Sequence, residues 1–401
     1  MVGRPHVVVV APLYPSAGGA VPAAAIRTHG LCRAFTSLGY RVDVVCGMPL
    51  GESPVETDGV DVHAIGWLDP DGVVERLSRG RYSAAGGQPV PGRALVSRMI
   101  PPDRYVSWIP GATRRARALG GRASLVFSTS AKSAHVAGYL VATDRWIADL
   151  NDPWVDNPHM PVGPVADAVH RRLERTTLGR ASHITAVTPP LRDELARRFG
   201  EGRVSTLFSG FDPGPPSPGD VEATPTVLYA GTLYEQLDLT PLFAGVAAAR
   251  AAGHLAPGQL RFRFVGRLNE RVQIEAESRG VGEFFHAQPS IPRAAVLREL
   301  GAATALLLPL YADDPYSLPM KFFEYLGAGR PIVALGPADR YAGRLVAERG
   351  FGVVAATPAD VAALIARLVS GEALPHATPK SAAEFTWSAT ASTLRRILEK
   401  V

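Results

Sequence analysis

The sequence predicts an α/β protein built from two doubly wound parallel sheets, and three observations predict it. Short β-branched runs alternate with longer amphipathic stretches, the rhythm of strand, crossover helix and parallel strand. A proline- and glycine-rich stretch, "GFDPGPPSPGDVEATPT" (Gly210–Thr226), breaks that rhythm at mid-chain. After it the same alternation starts again.

In the first half Val7–Ala11, Arg41–Cys46, Val60–Ile65, Leu125–Ser128, Trp146–Asp149 and His183–Val187 are apolar runs of strand length, as strands covered on both faces require. Ala23–Leu38, Ser133–Ala142, Val165–Arg180 and Pro190–Phe199 read as the helices between them. In the second half strands at Val227–Ala230, Arg261–Val265, Ala305–Leu308, Ile332–Leu335 and Val353–Ala355 alternate with helices near 239–252, 269–279, 293–300, 318–327, 339–349 and 359–369. The expected organisation is an N-terminal Rossmann-like domain (1–210), a linker (211–224), a C-terminal Rossmann-like domain (225–375) and a C-terminal helix (376–401) crossing back to the first domain. Two such domains are expected to face a cleft, with ligands at the carboxyl ends of the strands.

Bulk properties exclude several classes. With 401 residues of which 46% are apolar, the chain can bury two cores. The opening run Val7–Ala11 is too short for a signal-peptide core, and no stretch reaches the ~18 consecutive apolar residues of a membrane span. Cys32 and Cys46 have no metal-ligand spacing, which points to a reducing cytoplasm. The net charge of +5 is modest and no nucleic-acid partner is expected, yet Arg76–Arg122 holds ten arginines against the single acid Asp103. That segment suits phosphates or the inner face of an anionic membrane; its plain alternative is an arginine-rich solvated surface. No metal cluster, phosphate-binding G-x-x-x-x-G-K-[ST] loop or nucleophile elbow is present.

One stretch concentrates candidate chemistry. "SLPMKFFEYLGAGRPIVAL" (Ser317–Leu335) places Lys321 and Glu324 three residues apart on a helix that follows a strand and the loop "PLYADDPYS". A helix N-terminus with a lysine suits a diphosphate, and a carboxylate one turn on suits the two hydroxyls of a ribose. The competing explanation is an exposed ion pair between the two side chains.

The same stretch resembles the "P-x-K-x-F-E-Y-L-x-x-G-R-P-I-L-A" signature of bacterial glycosyltransferases of family four, retaining enzymes of the two-Rossmann GT-B fold. Three further blocks are similar in order and spacing: "VLYAGTLYEQLDLTPL", "VFSTSAKSAHVAGYLVATDRWIADLNDPWVDNP" and "YPSAGGAVPAAAI". The resemblance implies that Glu324 holds the nucleotide ribose, that Gly231, Thr232, Ser317 and Leu318 line the donor site, and that His135 lies near the reacting face of the sugar. It implies that Gly18 and Gly19 let the backbone approach the transferred sugar, and that Asp152 either caps its segment or faces the acceptor. Departures accompany it. Tyr316 stands where the first glutamate of the family's E-x7-E motif is expected, leaving Asp313, Asp314 or the amides of Ser317–Met320 as substitutes. Thr232 and Leu237 stand where an arginine and a lysine usually neutralise the diphosphate, so Lys321 and then Arg267 become the candidate cations. Asn151 replaces another arginine.

The expected function is retaining, metal-independent transfer of a sugar from a nucleoside diphosphate donor, a uridine one by preference, to an acceptor hydroxyl. The nucleotide sugar is a co-substrate and no further cofactor is expected. A glycan, a lipid-linked sugar and a small aglycone stay open as acceptors, in cell-envelope polysaccharide or secondary-metabolite synthesis. Two alternatives share the fold: a nucleotide-sugar epimerase, and a catalytically silent subunit that binds a partner enzyme.

Overall fold

The computed structural model describes residues 4–16, 21–48, 53–67, 101–120, 124–141, 144–214, 224–267 and 270–401. The chain divides into two compact units, Met1–Gly210 with Trp387–Val401, and Phe211–Thr386.

The first unit is a seven-stranded parallel sheet of β1 (His6–Ala11), β2 (Arg41–Gly47), β3 (Val60–Ile65), β4 (Leu125–Thr129), β5 (Trp146–Leu150), β6 (His183–Ala186) and β7 (Val204–Thr206), in the order β3-β2-β1-β4-β5-β6-β7. Val7 through Ala11 are wholly buried, because helices cover both faces of a doubly wound sheet. Those helices are α1 (Ala23–Ser37), α2 (Ile109–Leu119), α3 (Lys132–Val141), α4 (Pro164–Leu178) and α5 (Pro189–Phe199). Helix α2 and strand β7 were not foreseen. In α2 the arginines mask a short apolar stripe, Ile109, Ala112, Thr113 and Ala116, which faces the sheet; β7 has only three residues, too few for a pattern.

The C-terminal helix Trp387–Leu398 completes this unit. It buries Trp387, Ala391, Leu394 and Ile397, one helical face, against the same core as Leu31 and Phe35 of α1. A Cβ on Gly30 would lie 2.1 Å from Trp387 Cζ2, so the indole requires a glycine inside α1. Thr390 Oγ1 donates to the Phe208 carbonyl at 3.2 Å and fastens the helix to the end of the first unit's main segment.

The second unit is a six-stranded parallel sheet of β8 (Thr226–Ala230), β9 (Arg261–Val265), β10 (Phe285–Gln288), β11 (Ala305–Pro309), β12 (Ile332–Leu335) and β13 (Gly352–Ala355), in the order β10-β9-β8-β11-β12-β13. Its helices are α6 (Thr240–Ala251), α7 (Glu270–Ser278), α8 (Arg293–Ala302), α9 (Met320–Ala328), α10 (Tyr341–Glu348) and α11 (Pro358–Val369). Strand β10, an edge strand reading Phe-His-Ala-Gln, was also missed. Strand order reverses between β1 and β4 in one sheet and between β8 and β11 in the other. In doubly wound sheets the loops leaving the carboxyl ends at such a reversal form the ligand crevice.

Among the described residues no helix is long and apolar enough to cross a membrane. Of the arginine-rich segment, Arg76, Arg79, Arg81, Arg93, Arg98 and Arg122 lie outside the described residues, as do Gly18, Gly19 and most of the linker. Three of the other four arginines serve intramolecular contacts: Arg104 lies over the rings of Trp67 and Tyr105, Arg115 bonds His63 Nδ1 at 2.8 Å, and Arg117 donates to the Leu140 carbonyl.

Candidate active site

In the second unit β8 and β9 both end on glycines in a backbone region that side chains avoid, Gly231 at φ +133° and Gly266 at φ +145°. A Cβ on Gly266 would stand 2.2 Å from the Gly231 carbonyl oxygen, so the two strand ends pack backbone to backbone. Lys321, the second residue of α9, reaches over this point. A Cβ on Gly231 would meet its Cε and Nζ at 2.5 Å, and Nζ lies 5.2 Å from the centroid of the buried Tyr229 ring. Lys321 makes no hydrogen bond or ion pair to any described residue. Burial lowers its pKa, opposed by the charge of Glu324. An ammonium so placed is stabilised by an arriving anion.

The ion pair offered as the plain explanation for Lys321 and Glu324 does not form. Glu324 Oε1 instead accepts from Arg293 Nη1 of α8 at 2.6 Å, in a pair half-exposed at the arginine and largely covered at the carboxylate. Arg293 lies 31 positions away and carried no signal in the sequence. Asp314, one substitute considered for the missing glutamate, is engaged within its own loop. It is buried, and its Oδ1 accepts from the amides of Tyr316 at 2.8 Å and Ser317 at 3.1 Å, folding the loop before α9. The Ser317 amide is therefore occupied. Pro319, with no side-chain bond to the helix, occupies the N-cap.

Leu237, at a position expected to matter for the diphosphate, is buried in the hydrophobic core, and Leu318 is buried beside the start of α9. Thr232 contributes its carbonyl, which accepts from Tyr229 Oη at 2.7 Å. Arg267 is exposed just beyond β9, and its carbonyl accepts from the Leu233 amide at 3.0 Å. A second arginine was missed: Arg271 of α7 donates to the Tyr234 carbonyl at 2.6 Å and so braces the loop that follows Gly231.

In the first unit His135 sits on α3, directly after β4, and is 4% exposed. Its Nδ1 lies 2.9 Å from Ser128 Oγ, which also accepts from the Trp146 indole at 2.9 Å. Oγ has a second lone pair and one hydrogen, so it either accepts from Nδ1–H or donates to Nδ1; in the second case Nε2 carries the ring proton. Burial pushes the His135 pKa down to about 4 against the opposing charge of Asp149, and Trp154 stacks on the ring at 5.9 Å. The imidazole is thus fixed in place and neutral. Asp103 caps α3 through the Ser133 amide at 2.8 Å and the Ser133 hydroxyl. Asp152 is exposed in the loop after β5, next to Asn151, whose buried Oδ1 has no hydrogen-bond partner.

Below this loop lies a charge network that the sequence did not announce. Arg27 of α1 bonds both oxygens of Asp149, at 3.0 and 2.7 Å, and also the Leu207 carbonyl and Ser209. Thr129 and Thr185, at the ends of the flanking strands, complete the carboxylate at 2.6 and 2.7 Å. Burial raises the Asp149 pKa, but the Arg27 charge and these hydrogen bonds outweigh it and hold the carboxyl below the ordinary range. No group of three or more potential metal ligands occurs among the described residues.

Two parallel-sheet α/β units with their candidate groups at the strand reversals define the two-Rossmann GT-B fold, the class of glycosyltransferases that work on this scaffold. Residues 24–214 match the model of Glycosyltransferase Family 4, and this match on the shared fold marks the chain as a glycosyltransferase. Solved structures sharing the fold include a sucrose-phosphate synthase from Thermosynechococcus elongatus, 15% identical over 99% of this chain and 99% of that one with a TM-score of 0.64. An α,α-trehalose-phosphate synthase (UDP-forming) from Burkholderia xenovorans, in complex with glucose-6-phosphate, is 14% identical over 99% of this chain and 100% of that one with a TM-score of 0.64. A lipopolysaccharide outer core galactosyltransferase in its apo form is 11% identical over 99% and 100%, with a TM-score of 0.59. At these identities the likeness is one of fold. No curated protein sequence matches the chain.

Proposed function

We propose that this glycosyltransferase moves a sugar, with retention, from a uridine diphosphate donor held by the second unit to an acceptor hydroxyl held by the first. The observation that carries this reading is the Lys321 ammonium, half-buried over Gly231 at the end of β8 with no carboxylate bound to it among the described residues. Departure of a diphosphate builds negative charge, and a cation fixed beforehand stabilises that charge without reorganising. Glu324, steadied by Arg293, takes the ribose hydroxyls, and Arg267 adds a second, solvent-facing charge near the same strand ends. His135, fixed and neutral, is the first unit's candidate hydrogen-bond partner for a sugar hydroxyl.

Retention without a nucleophilic carboxylate means attack on the face from which the diphosphate leaves, the diphosphate taking the acceptor proton. The protein then contributes positioning and charge stabilisation. That the trehalose-phosphate synthase sharing this fold is UDP-forming supports a uridine donor. Acceptors in the classes of glycan, lipid-linked sugar and aglycone all fit, and Arg76–Arg122 offers a contact to an anionic inner membrane face. Sedimentation with anionic vesicles at low salt tests that contact, since surface charges are screened within about 10 Å at 0.1 M.

Incubation of purified protein with a panel of UDP-sugars and acceptors tests the whole reading. Glycoside plus UDP supports it, an isomerised donor makes the protein an epimerase, and no turnover makes it a silent subunit. Lys321→Met is expected to lower kcat by about 10²–10³ while weakening donor binding far less. Near-normal kcat in Lys321→Met beside loss in Arg267→Met reverses the two roles.

A further inference from the structure

The ring beneath Lys321 has no part in the reading above. Tyr229 is 2% exposed and belongs to the core of the second unit, where it packs on Phe264 with ring centroids 5.7 Å apart. Two of its features exceed what a core residue needs. Its ring face carries the Lys321 ammonium at 5.2 Å, and its hydroxyl donates to the Thr232 carbonyl at 2.7 Å, across the Gly231 on which that ammonium rests. One side chain thus touches the cation and ties down the loop under it.

A lysine is a compact charge on a flexible four-carbon stem, and without a partner it samples many rotamers. The nearest carboxylate on its own helix, Glu324, is drawn off by Arg293. Among the described residues the close contact that holds the ammonium is the negative face of the Tyr229 ring, whose attraction strengthens where water is excluded. Tyr325 backs the arrangement from below, its hydroxyl donating to the Leu307 carbonyl at 3.1 Å and lying 3.4 Å from the Ala230 amide.

We propose that Tyr229 is a positioning residue for glycosyl transfer: its ring face holds the Lys321 ammonium over Gly231, and its hydroxyl holds the Gly231–Thr232 turn, before the diphosphate departs. This rests on the reading that Lys321 stabilises the departing diphosphate. UDP is the fitting probe, because it already carries the charge that the donor develops only on leaving.

The experiment is isothermal calorimetry of UDP and of uridine with wild type, Tyr229→Phe, Tyr229→Leu, Lys321→Met and the Tyr229→Leu/Lys321→Met double variant. A further variant carries pentafluorophenylalanine at position 229, which keeps the ring's shape and reverses its quadrupole. Tyr229→Leu and the fluorinated ring are expected to weaken UDP about tenfold relative to Tyr229→Phe and to leave uridine unchanged. In the Lys321→Met background Tyr229→Leu is expected to have no further effect on UDP, since the ring acts through the lysine. Equal UDP loss from Tyr229→Leu in both backgrounds, or equal UDP affinity of the fluorinated and plain phenylalanine variants, overturns the proposal. The fluorinated pair decides it even if Tyr229→Leu fails to fold. Undiminished UDP affinity in Lys321→Met overturns the diphosphate reading itself, and the Tyr229 proposal with it; loss in Lys321→Met beside no loss with the fluorinated ring overturns only the latter.

Discussion

Replacing Asp149 by asparagine is expected to be severe although the two side chains have nearly the same shape. Four donors converge on the carboxylate: Arg27 Nε and Nη2, and the hydroxyls of Thr129 and Thr185. An amide offers one oxygen and one donor group, so at least one of these donors faces another donor. Arg27 is meanwhile left as a buried cation, 1% exposed, without its anion. Breaking one side of a buried pair costs about 3–5 kcal/mol. With a urea dependence of about 3 kcal/mol per molar, the unfolding midpoint should fall by 1 M or more.

The protein carries a selective probe for this measurement. All five tryptophans, Trp67, Trp108, Trp146, Trp154 and Trp387, lie in the first unit, so indole fluorescence follows that unit alone. The double variant Arg27→Met/Asp149→Leu should recover part of the loss, because no charge then remains buried. A midpoint shift below about 0.3 M for Asp149→Asn, under roughly 1 kcal/mol, would refute the account of this network.

Other consequences are as direct. Glu324→Gln should weaken UDP binding by about 1.5–3 kcal/mol, the worth of hydrogen bonds to a charged group, with circular dichroism unchanged; equal affinities by calorimetry refute the ribose assignment. His135 and His183 both have pKa values pushed by burial down to about 4, so between pH 6.5 and 4 the unfolded chain binds protons that the folded one refuses. Stability of the first unit should therefore decline as pH falls through that window, and urea midpoints at pH 7 and 5 that coincide would contradict it. Gly30→Val should destabilise the first unit by repelling Trp387, and a Trp387→Ala partner change should relieve much of the loss; additive costs would show that the two do not touch.

The architecture was legible because buried parallel strands announce themselves twice, as apolar runs and by the helices between them. Edge strands do neither: β7 and β10 are short, and His286 and Gln288 give β10 no apolar signature. Lys321, Glu324 and His135 could be picked out because each sits in a local motif on the helix that follows a strand. Their partners could not, since Arg293, Tyr229, Asp149 and Arg27 meet their counterparts only through the fold. The contact between Arg27 and Asp149 spans 122 positions, and no periodicity records a pairing of that kind. The same distinction explains Leu237: the resemblance places it where a cation is expected, whereas packing makes it core.

The C-terminal helix gives the order of synthesis a physical meaning. Phe211–Thr386 is one continuous stretch, so it can bury its core as soon as it has left the ribosome. The first unit cannot: Trp387, Leu394 and Ile397, which cover Leu31 and Phe35, are made only after the whole second unit. For that interval α1 keeps an uncovered apolar face, with Gly30 marking the gap the indole will fill. The domain translated first is therefore the one finished last, and its nascent form is the species that a chaperone would meet.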